Sequence, residues 1–416
     1  MMKINNIQLY NYHGFKSVAI DFNPKVTCLA GINGAGKSSV LNAIALCLSW
    51  IIARIKNPKG QGWFANAYED ARYGEMYGGI TGKFSFLDKE IFVKQGFAAN
   101  GVVGDIKSDY STLNSLFDYV STSSIAYNIP TLVYYPINRA VLDIPLRIRM
   151  RHDFNQFSVY ENAMDSSARF RDFFEWYRDR EDIEYEERNN RRDFDYKDLI
   201  LETVRNAIYK FLPGYKNLHI RRSPQTMLIT KADEEIPVNS LSDGEKCMLS
   251  LVGDLARRLS LANPSIKNPL EGSGIVLIDE IDLHLHPAWQ RNVVGLLLKT
   301  FPNCQFIITT HSPQVLGELK TEEIWLLNDF KVYRPASSYG LTSNDILDEI
   351  MDVMEGDKTL SRNGIIAEKI SEVSMLVEEE KFSEAKKVID EIETIAGGEL
   401  HETAKYKTVI DMVGEE

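Results

Sequence analysis

The sequence predicts an α/β fold with a mixed sheet, on the strength of three observations. A short apolar run at 26–30 passes through a glycine-rich turn into a segment of helical periodicity. Two further apolar runs, at 275–278 and 306–308, flank a helical segment at 287–300, which is the βαβ pattern of parallel strands. Near the N-terminus, the alternation of apolar and polar residues over 3–22 is interrupted by a glycine and predicts an antiparallel hairpin.

Composition along the chain predicts four parts. Over 145–225, 16 basic and 15 acidic residues are interleaved with aromatic residues, which favours helices but lacks the heptads of a long coiled coil. The predicted parts are the first half of the α/β domain at 1–144, a helical insertion at 145–224, the second half of the α/β domain at 225–340, and an acidic helical tail at 341–416.

The net charge of −12 is concentrated in the tail. Residues 341–416 contain 20 acidic and 8 basic residues, so residues 1–340 are balanced. An acidic tail repels nucleic acid and suits a protein partner or self-association, although a solvated helical face is the plainer explanation.

Cysteine usage and hydropathy predict a reduced, cytoplasmic protein. The four cysteines are far apart and form no CxxC pair, which favours buried thiols over disulfides or a zinc site. No apolar run approaches the ~18 residues that a membrane span needs. Residues 1–12 lack the apolar centre of a signal peptide. We therefore expect no membrane partner.

Residues 31–38 read Gly-Ile-Asn-Gly-Ala-Gly-Lys-Ser and match the phosphate-loop pattern G-x-x-x-x-G-K-[ST]. A strand before the motif and a helix after it distinguish it from a chance match in a glycine-rich turn. The loop predicts ATP and Mg²⁺ as ligands, with Lys37 at the β- and γ-phosphates and Ser38 at the metal. The residues expected to line the nucleotide here are Asn33, Gly34, Ala35, Gly36, Lys37, Ser38 and Ser39.

Two carboxylates follow the apolar run at 275–278. Asp279 stands at the carboxyl end of this predicted strand, where it can orient Mg²⁺, and Glu280 is placed to act as the general base for the attacking water. Alone, the pair reads equally well as surface acids after a core strand. Together with an upstream phosphate loop, it predicts catalysis.

A third motif is the signature segment, residues 241–246, which reads Leu-Ser-Asp-Gly-Glu-Lys. A hydroxyl and a glycine at a helix start form an anion site, which makes Ser242, Asp243, Gly244 and Glu245 candidate nucleotide ligands. The spacing of Ser242 and Glu245 also fits a simple capping box, and a phosphate can dock on the same helix end.

The fourth motif is His311, which follows the apolar run at 306–308 and can reach a γ-phosphate. The order of phosphate loop, signature segment, Asp-Glu pair and histidine resembles the ABC ATPases, and within them the RecF/SMC-like heads. The resemblance spans most of 1–335 and implies an ABC-type P-loop ATPase head with a mixed sheet, a helical insertion and a C-terminal helical tail. In that family the signature of one head contacts the γ-phosphate held by the other, so dimerisation on ATP is implied. Asp282 matches the loop that runs along the dimer seam.

Two details qualify the resemblance. The family glutamine that senses Mg²⁺ is not evident, and Asn138 or Arg139 occupies its expected place, which leaves the rate of hydrolysis open. His284 and His286 alternate as metal ligands sometimes do. Alternating histidines at this point also match the family loop, and we favour that interpretation.

A finer resemblance is to the PtuA-like ATPases of Septu and retron anti-phage systems. It is carried by residues 134–139, 279–287, 339–347 and 382–385. In that family the ATPase works with an HNH nuclease encoded beside it, and the seven histidines of this chain show no HNH grouping of their own. The leading hypothesis is therefore a regulatory ATPase that controls a partner nuclease in anti-phage defence.

The sequence leaves two other classes of function to consider. The first is a RecF/SMC-like DNA repair ATPase that acts directly on DNA, so DNA or RNA stays open as a partner, although the near-neutral insertion supports it weakly. The second is the ATPase subunit of a membrane transporter. The RecF-like segment 11–16 and the inserted helices argue against it.

Overall fold

The computed structural model describes residues 1–87, 89–114, 116, 128–137, 154–164, 170–347 and 364–413. The chain divides into two compact units, Met1–Gly340 and Leu341–Glu416. The first unit contains three sheets with the helices that cover them, and the second contains helices in the part that is described.

The strands of the described residues are, in chain order, β1 (Met2–Tyr12), β2 (Phe15–Asp21), β3 (Val26–Gly31), β4 (Tyr77–Phe86), β5 (Lys89–Ala98), β6 (Thr131–Tyr135), β7 (Tyr215–Arg222), β8 (Gln225–Lys231), β9 (Glu234–Pro237), β10 (Gly274–Ile278), β11 (Cys304–Thr310), β12 (Ile324–Asn328) and β13 (Lys331–Tyr333). The helices are α1 (Lys37–Lys56), α2 (Ala67–Asp70), α3 (Phe170–Arg191), α4 (Leu199–Phe211), α5 (Asp243–Ala262), α6 (Pro287–Thr300), α7 (Pro313–Leu316), α8 (Ser343–Ile346), α9 (Gly364–Glu378), α10 (Phe382–Ala396) and α11 (His401–Val413).

A six-stranded sheet in the order β13-β12-β3-β11-β10-β6 forms the centre of the first unit. Its last five strands in this order are parallel to one another, and β13 pairs antiparallel with β12. Every residue of β3, β6, β10 and β11 is buried, which explains why these strands appear in the sequence as unbroken apolar runs. Because the strands are parallel, their carboxyl ends meet at one edge of the sheet and bring the predicted site residues together.

The predicted N-terminal hairpin is present as β1 and β2 within an antiparallel sheet in the order β2-β1-β4-β5. The outer edge of β5 is covered by the segment that follows it. Lys94 and Asp109 exchange two backbone hydrogen bonds of 3.0 and 2.8 Å. The hydroxyl of Ser108 bonds both the N–H and the carbonyl of Gly96, and the hydroxyl of Thr112 does the same for Phe92.

Helix α1 packs between these two sheets as a core helix. Of the described helices, it is the one long and apolar enough to cross a membrane by length and composition. Two thirds of its apolar window, 67%, is nevertheless buried inside the protein, and its first residue belongs to the phosphate loop. Its apolar character therefore matches its place in the core.

The part predicted as a helical insertion is helical only in part. Helices α3 and α4 are present, but residues 215–222 form β7, the first strand of a three-stranded sheet in which β8 pairs with both β7 and β9. The prediction of helix was wrong for this stretch. Tyr215, Leu218 and Ile220 are the buried residues of this strand, and so few apolar positions do not distinguish a strand from a helix. Residues 145–153 and 165–169 of the insertion lie outside the described residues.

The second unit is built on α9, α10 and α11. Their shared core consists of Val373, Ala385, Val388, Ile389, Ile392 and Ile410. Helix α10 ends at Gly397, which adopts the left-handed conformation (φ 74°) favoured at helix ends.

Candidate functional site

The phosphate loop, residues 31–38, connects the buried strand β3 to helix α1. Gly34 and Gly36 have φ values of 80° and 100°, which side-chain-bearing residues rarely adopt. A Cβ on Gly36 would lie 2.6 Å from the ring of Phe15 and 2.9 Å from that of Phe330. Glycine at this position is therefore required both by the backbone conformation and by the two rings that pack against it.

Lys37 is held inside this loop. Its ammonium group donates hydrogen bonds of 2.9 Å to the carbonyls of Gly31 and Ile32, and the residue is only 6% exposed. Burial lowers the pKa of Lys37, and the nearby charges of Asp279 and Glu280 oppose that effect. The ammonium is thus fixed beside the backbone N–H groups of a helix start, which together suit a polyphosphate.

Asp279, directly after β10, receives hydrogen bonds from three other elements. Ser38 donates to its Oδ2 atom at 2.9 Å, and Thr309 at the end of β11 donates to Oδ1 at 2.6 Å. Tyr134 in β6 also bonds the carboxylate. Burial and the charge of Asp279 raise the pKa of Tyr134, so its hydroxyl remains a donor. The Ser38 hydroxyl and the Asp279 carboxylate are oxygen donors of the kind that Mg²⁺ prefers, so the residues fit this ion.

Replacing Tyr134 with phenylalanine tests the last of these contacts. Removing a hydrogen bond that orients a metal-binding carboxylate is expected to raise the Mg²⁺ concentration for half-maximal ATPase activity by about 10-fold. A Mg²⁺ titration of the ATPase rate measures this. The matched control is Tyr333→Phe, in the exposed strand β13. An unchanged Mg²⁺ requirement in Tyr134→Phe would show that the hydroxyl does not support the metal site.

Glu280 has a backbone conformation that is unusual for its residue type. Its φ of 47° lies in the left-handed region, where a non-glycine residue is strained. Its N–H donates to the Thr309 hydroxyl at 2.7 Å, and the N–H of Ile281 donates to the Thr309 carbonyl at 3.0 Å. These bonds hold the chain in a sharp turn after β10 and fix the position from which the Glu280 side chain extends.

His311 directly follows β11 and is half-buried. Its Nε2 atom is shielded from solvent and has no hydrogen-bond partner among the described residues. Burial and the charge of Lys37 lower the pKa of His311, while Asp282, Glu280 and Asp279 act in the opposite direction. The ring is therefore neutral near pH 7, and one orphaned ring nitrogen remains for a ligand.

The signature segment, residues 241–246, begins helix α5 with a complete capping box. The Ser242 hydroxyl accepts from the Glu245 N–H at 3.3 Å, and the Glu245 carboxylate accepts from the Ser242 N–H at 2.9 Å. The same carboxylate accepts from Tyr215 at 2.6 Å and from Lys231 at 3.4 Å. The capping interpretation is therefore correct for the segment, and strands β7 and β8 hold it in place.

The seam loop, residues 281–286, lies between β10 and α6. Asp282 accepts from the Thr310 hydroxyl at 2.5 Å. His286 caps α6 by accepting from the N–H of Ala288 at 3.3 Å. No group of three or more metal-ligating side chains occurs in the part of the chain that the structure describes. A Cβ on Gly244 would lie 2.5 Å from the carbonyl oxygen of His284, so the seam loop and the signature segment are in direct contact.

The predicted residues thus fall into two sets. Lys37, Ser38, Asp279 and His311 are linked by hydrogen bonds or by mutual charge effects, as are their neighbours Glu280 and Asp282. In contrast, no hydrogen bond among the described residues joins Ser242, Asp243, Gly244 or Glu245 to the phosphate loop. Asn138 and Arg139 lie outside the described residues.

Three residues at or beside the site were not predicted from the sequence. Tyr134 and Thr309 stand at the ends of strands adjacent to β10, and Gln290 lies in the first turn of α6. Hydroxyl residues at the carboxyl ends of neighbouring parallel strands were a usable signal, because those ends converge. Nothing in the sequence marks Gln290, whose amide contacts depend on the path of two loops.

Comparisons with known proteins identify similar ATPases. The chain matches the domain family described as "AAA domain, putative AbiEii toxin, Type IV TA system" over residues 105–317, and an "AAA domain" family over residues 2–206. It is 33% identical to the Retron Ec83 probable ATPase of Escherichia coli, covering 85% of this chain and 77% of that protein. It is 30% identical to the Retron Vc95 probable ATPase of Vibrio cholerae serotype O1 biovar El Tor, covering 85% and 80%.

More distant similarities were also found. The Septu protein PtuA of Bacillus thuringiensis is 23% identical over 91% of this chain and 90% of that protein. Among solved structures, the SMC head domain from Thermotoga maritima is similar with a TM-score of 0.42 and 18% identity, covering 78% of this chain and 94% of that one. The recombination mediator protein RecF is similar with a TM-score of 0.44 and 16% identity, covering 80% and 98%.

Proposed function

Because this chain belongs to the ATPase family of retron and Septu systems, we propose that it acts in anti-phage defence as an ABC-type ATPase that dimerises around ATP and controls a partner nuclease. ATP is the substrate and Mg²⁺ the cofactor. The family establishes the ATPase activity, and the remainder of this statement is our proposal.

The separation of the two residue sets is the observation that supports dimerisation. The phosphate loop, Asp279, Glu280 and His311 form one half of a nucleotide site. The signature segment offers a second anion-binding helix start, in which Ser242 and Asp243 are exposed and Glu245 is bonded by β7 and β8. Within the described part of the chain, no hydrogen bond joins this helix start to that half. Two copies related by a two-fold axis would place the signature segment of each opposite the phosphate loop of the other.

Each residue then has a role within the combined site. Backbone N–H groups at 33–39 and the Lys37 ammonium would hold the phosphates, and Ser38 and Asp279 would hold Mg²⁺. Bound there, Mg²⁺ would neutralise charge that develops on the phosphate oxygens. Glu280 would take the proton of the attacking water, and the neutral His311 would donate to the γ-phosphate. Ser242, Asp243, Gly244 and Glu245 would complete the site from the partner head, and Asp282 would line the nucleotide at the seam between the two heads.

The partner assignment rests on the family and on charge. We propose an HNH nuclease encoded nearby as the protein that the ATPase controls, in the cytoplasm and without a membrane partner. The acidic second unit, with 20 acidic and 8 basic residues, suits docking of a basic protein surface or self-association better than contact with nucleic acid. DNA or RNA would then be bound by the assembly through other surfaces.

The Lys37→Ala variant tests the nucleotide site. Removing a buried, hydrogen-bonded ammonium from a polyphosphate site is expected to weaken ATP binding by about 30-fold or more, since such losses cost ~2–5 kcal/mol. Titration with a fluorescent ATP analogue measures this. Lys299→Ala, on the exposed face of α6, is the control. Unchanged affinity in Lys37→Ala would contradict the proposed site.

A native pull-down tests the partner. The chain is purified from cells that carry its whole gene neighbourhood, and the proteins that come with it are identified by mass spectrometry. We expect an HNH protein in the complex. Recovery of the chain with only itself and DNA would instead favour direct action on DNA.

A further inference from the structure

Gln290, in the first turn of α6, makes hydrogen bonds with both ends of its side-chain amide. Its Nε2 atom donates to the carbonyl of Leu285 at 2.8 Å and to the carbonyl of Asp282 at 3.4 Å. Its Oε1 atom accepts from the hydroxyl of Ser312 at 2.7 Å. The amide therefore bridges the seam loop on one side and the residue after His311 on the other.

The residue before His311 is tied to the same loop. The Thr310 hydroxyl donates to the Asp282 carboxylate at 2.5 Å and accepts from the N–H of Ser312 at 3.0 Å. Both neighbours of His311 are thus anchored to the seam loop, one directly and one through Gln290. The backbone of His311 cannot shift relative to this loop without breaking at least one of these bonds.

The seam loop also contacts the other parts of the site. It begins directly after Glu280, whose turn is fixed by Thr309. Its His284 carbonyl lies against Gly244 of the signature segment, too close for any Cβ. A displacement of the seam loop would therefore change the positions of the signature segment, of Glu280 and, through Gln290, of His311.

We propose that Gln290 is a positioning residue that sets the place of His311 according to the position of the seam loop, so that docking of a second head is transmitted to the histidine. This inference rests on the proposed function, because the seam loop responds to docking of a second head only if the loop lies at the dimer interface. Only an amide can donate to two carbonyls and accept from a hydroxyl at the same time.

Two substitutions separate the halves of the bridge. Gln290→Met is similar in length and removes all three hydrogen bonds. Gln290→Glu retains an acceptor for Ser312 but places a carboxylate against the carbonyls of Asp282 and Leu285. The control is Asn292→Ala, one half-turn further along α6, whose exposed amide donates to the Ala288 carbonyl of its own helix.

We expect both Gln290 variants to lower kcat by about 10-fold while ATP affinity stays within about two-fold, because a displaced catalytic group affects turnover more than ground-state binding. Asn292→Ala is expected to match the wild type. A merely structural role would lower the melting temperature of the Gln290 variants and leave kcat per folded molecule unchanged, and that result would overturn the proposal. Wild-type turnover in Gln290→Glu would also overturn it, because the bond to Ser312 alone would then suffice.

A double-mutant cycle with His311→Ala gives the decisive readout. If Gln290 acts through His311, then Gln290→Met has no further effect on kcat in the His311→Ala background. A full 10-fold loss in that background would refute the coupling. The double-mutant cycle requires only measurements of kcat, whereas dimerisation around ATP is tested by measuring particle size. A wild type that stays monomeric with ATP would therefore refute dimerisation while leaving the cycle interpretable.

Discussion

The Glu280→Gln variant is expected to bind ATP but to hydrolyse it at least about 100-fold more slowly than the wild type, because a general base contributes about 10²–10⁴-fold to such reactions. Glutamine has the shape of glutamate and cannot accept the proton of the attacking water. The strained backbone turn at Glu280, fixed by Thr309, remains intact in the variant. Phosphate release measures the loss, and Glu318→Gln, an exposed glutamate after α7, is the control.

The same variant tests the assembly. If ATP holds two heads together and hydrolysis releases them, Glu280→Gln accumulates as an ATP-bound dimer or higher oligomer. Light scattering after size exclusion, with and without ATP and Mg²⁺, distinguishes the two states. The same mass in both conditions would contradict dimerisation around ATP. Hydrolysis at the wild-type rate would show that Glu280 is not the general base.

The second large effect is expected from Asp254→Asn, which concerns stability. Asp254 is buried on α5 and accepts hydrogen bonds from Arg257 at 2.7 Å and from Arg258 at 2.7 Å. Tyr135, at the end of β6, donates to the same carboxylate at 2.9 Å. Asparagine preserves the shape but removes the carboxylate charge to which both buried guanidinium groups donate hydrogen bonds. We expect the free energy of unfolding to fall by about 3–5 kcal/mol.

Acid should reproduce this loss in the wild type. Burial alone would raise the pKa of Asp254, but the charges of Arg258 and Arg257 outweigh it and lower the pKa to about 2. A carboxyl group whose pKa is lower in the folded than in the unfolded protein stabilises the fold above the unfolded value of about 4, and this contribution disappears as the pH falls toward 2. Urea unfolding between pH 7 and pH 2 measures the trend.

A surface aspartate provides the comparison for both experiments. Asp233 forms an exposed ion pair with Lys216, so Asp233→Asn is expected to leave the free energy of unfolding close to that of the wild type. If Asp254→Asn were as stable as Asp233→Asn, the buried charge cluster would not support the junction of α5 and β6.

The central strands and the phosphate loop could be predicted from sequence for a simple physical reason. Strands covered on both faces are continuous apolar runs, and the phosphate loop needs glycines and a lysine at fixed spacing. The Asp-Glu pair and His311 followed, because parallel strands deliver their ends to one edge. The strand β7 was missed, because a register shift spaces its buried residues 215, 218 and 220 by three positions and then by two, which is not a clear strand alternation.

Contacts between loops could not be predicted in this way. The bond from Tyr134 to Asp279 requires the order of strands in the sheet, which no single segment encodes. The Gln290 bridge requires the loop at 282–285 and the turn at 312 to lie within hydrogen-bonding distance of the same side chain. The close approach of Gly244 to His284 likewise depends on how α5 packs near the start of α6.

The hydroxyl-covered edge of β5 has a consequence for solubility. An unpaired strand edge is a template on which another chain can add a strand and begin to aggregate. Here Ser108 and Thr112 occupy the hydrogen-bonding groups of Gly96 and Phe92, and Asp109 occupies those of Lys94. An incoming strand would have to break these bonds first. This edge of the antiparallel sheet is therefore closed to the addition of a strand from another copy of the chain.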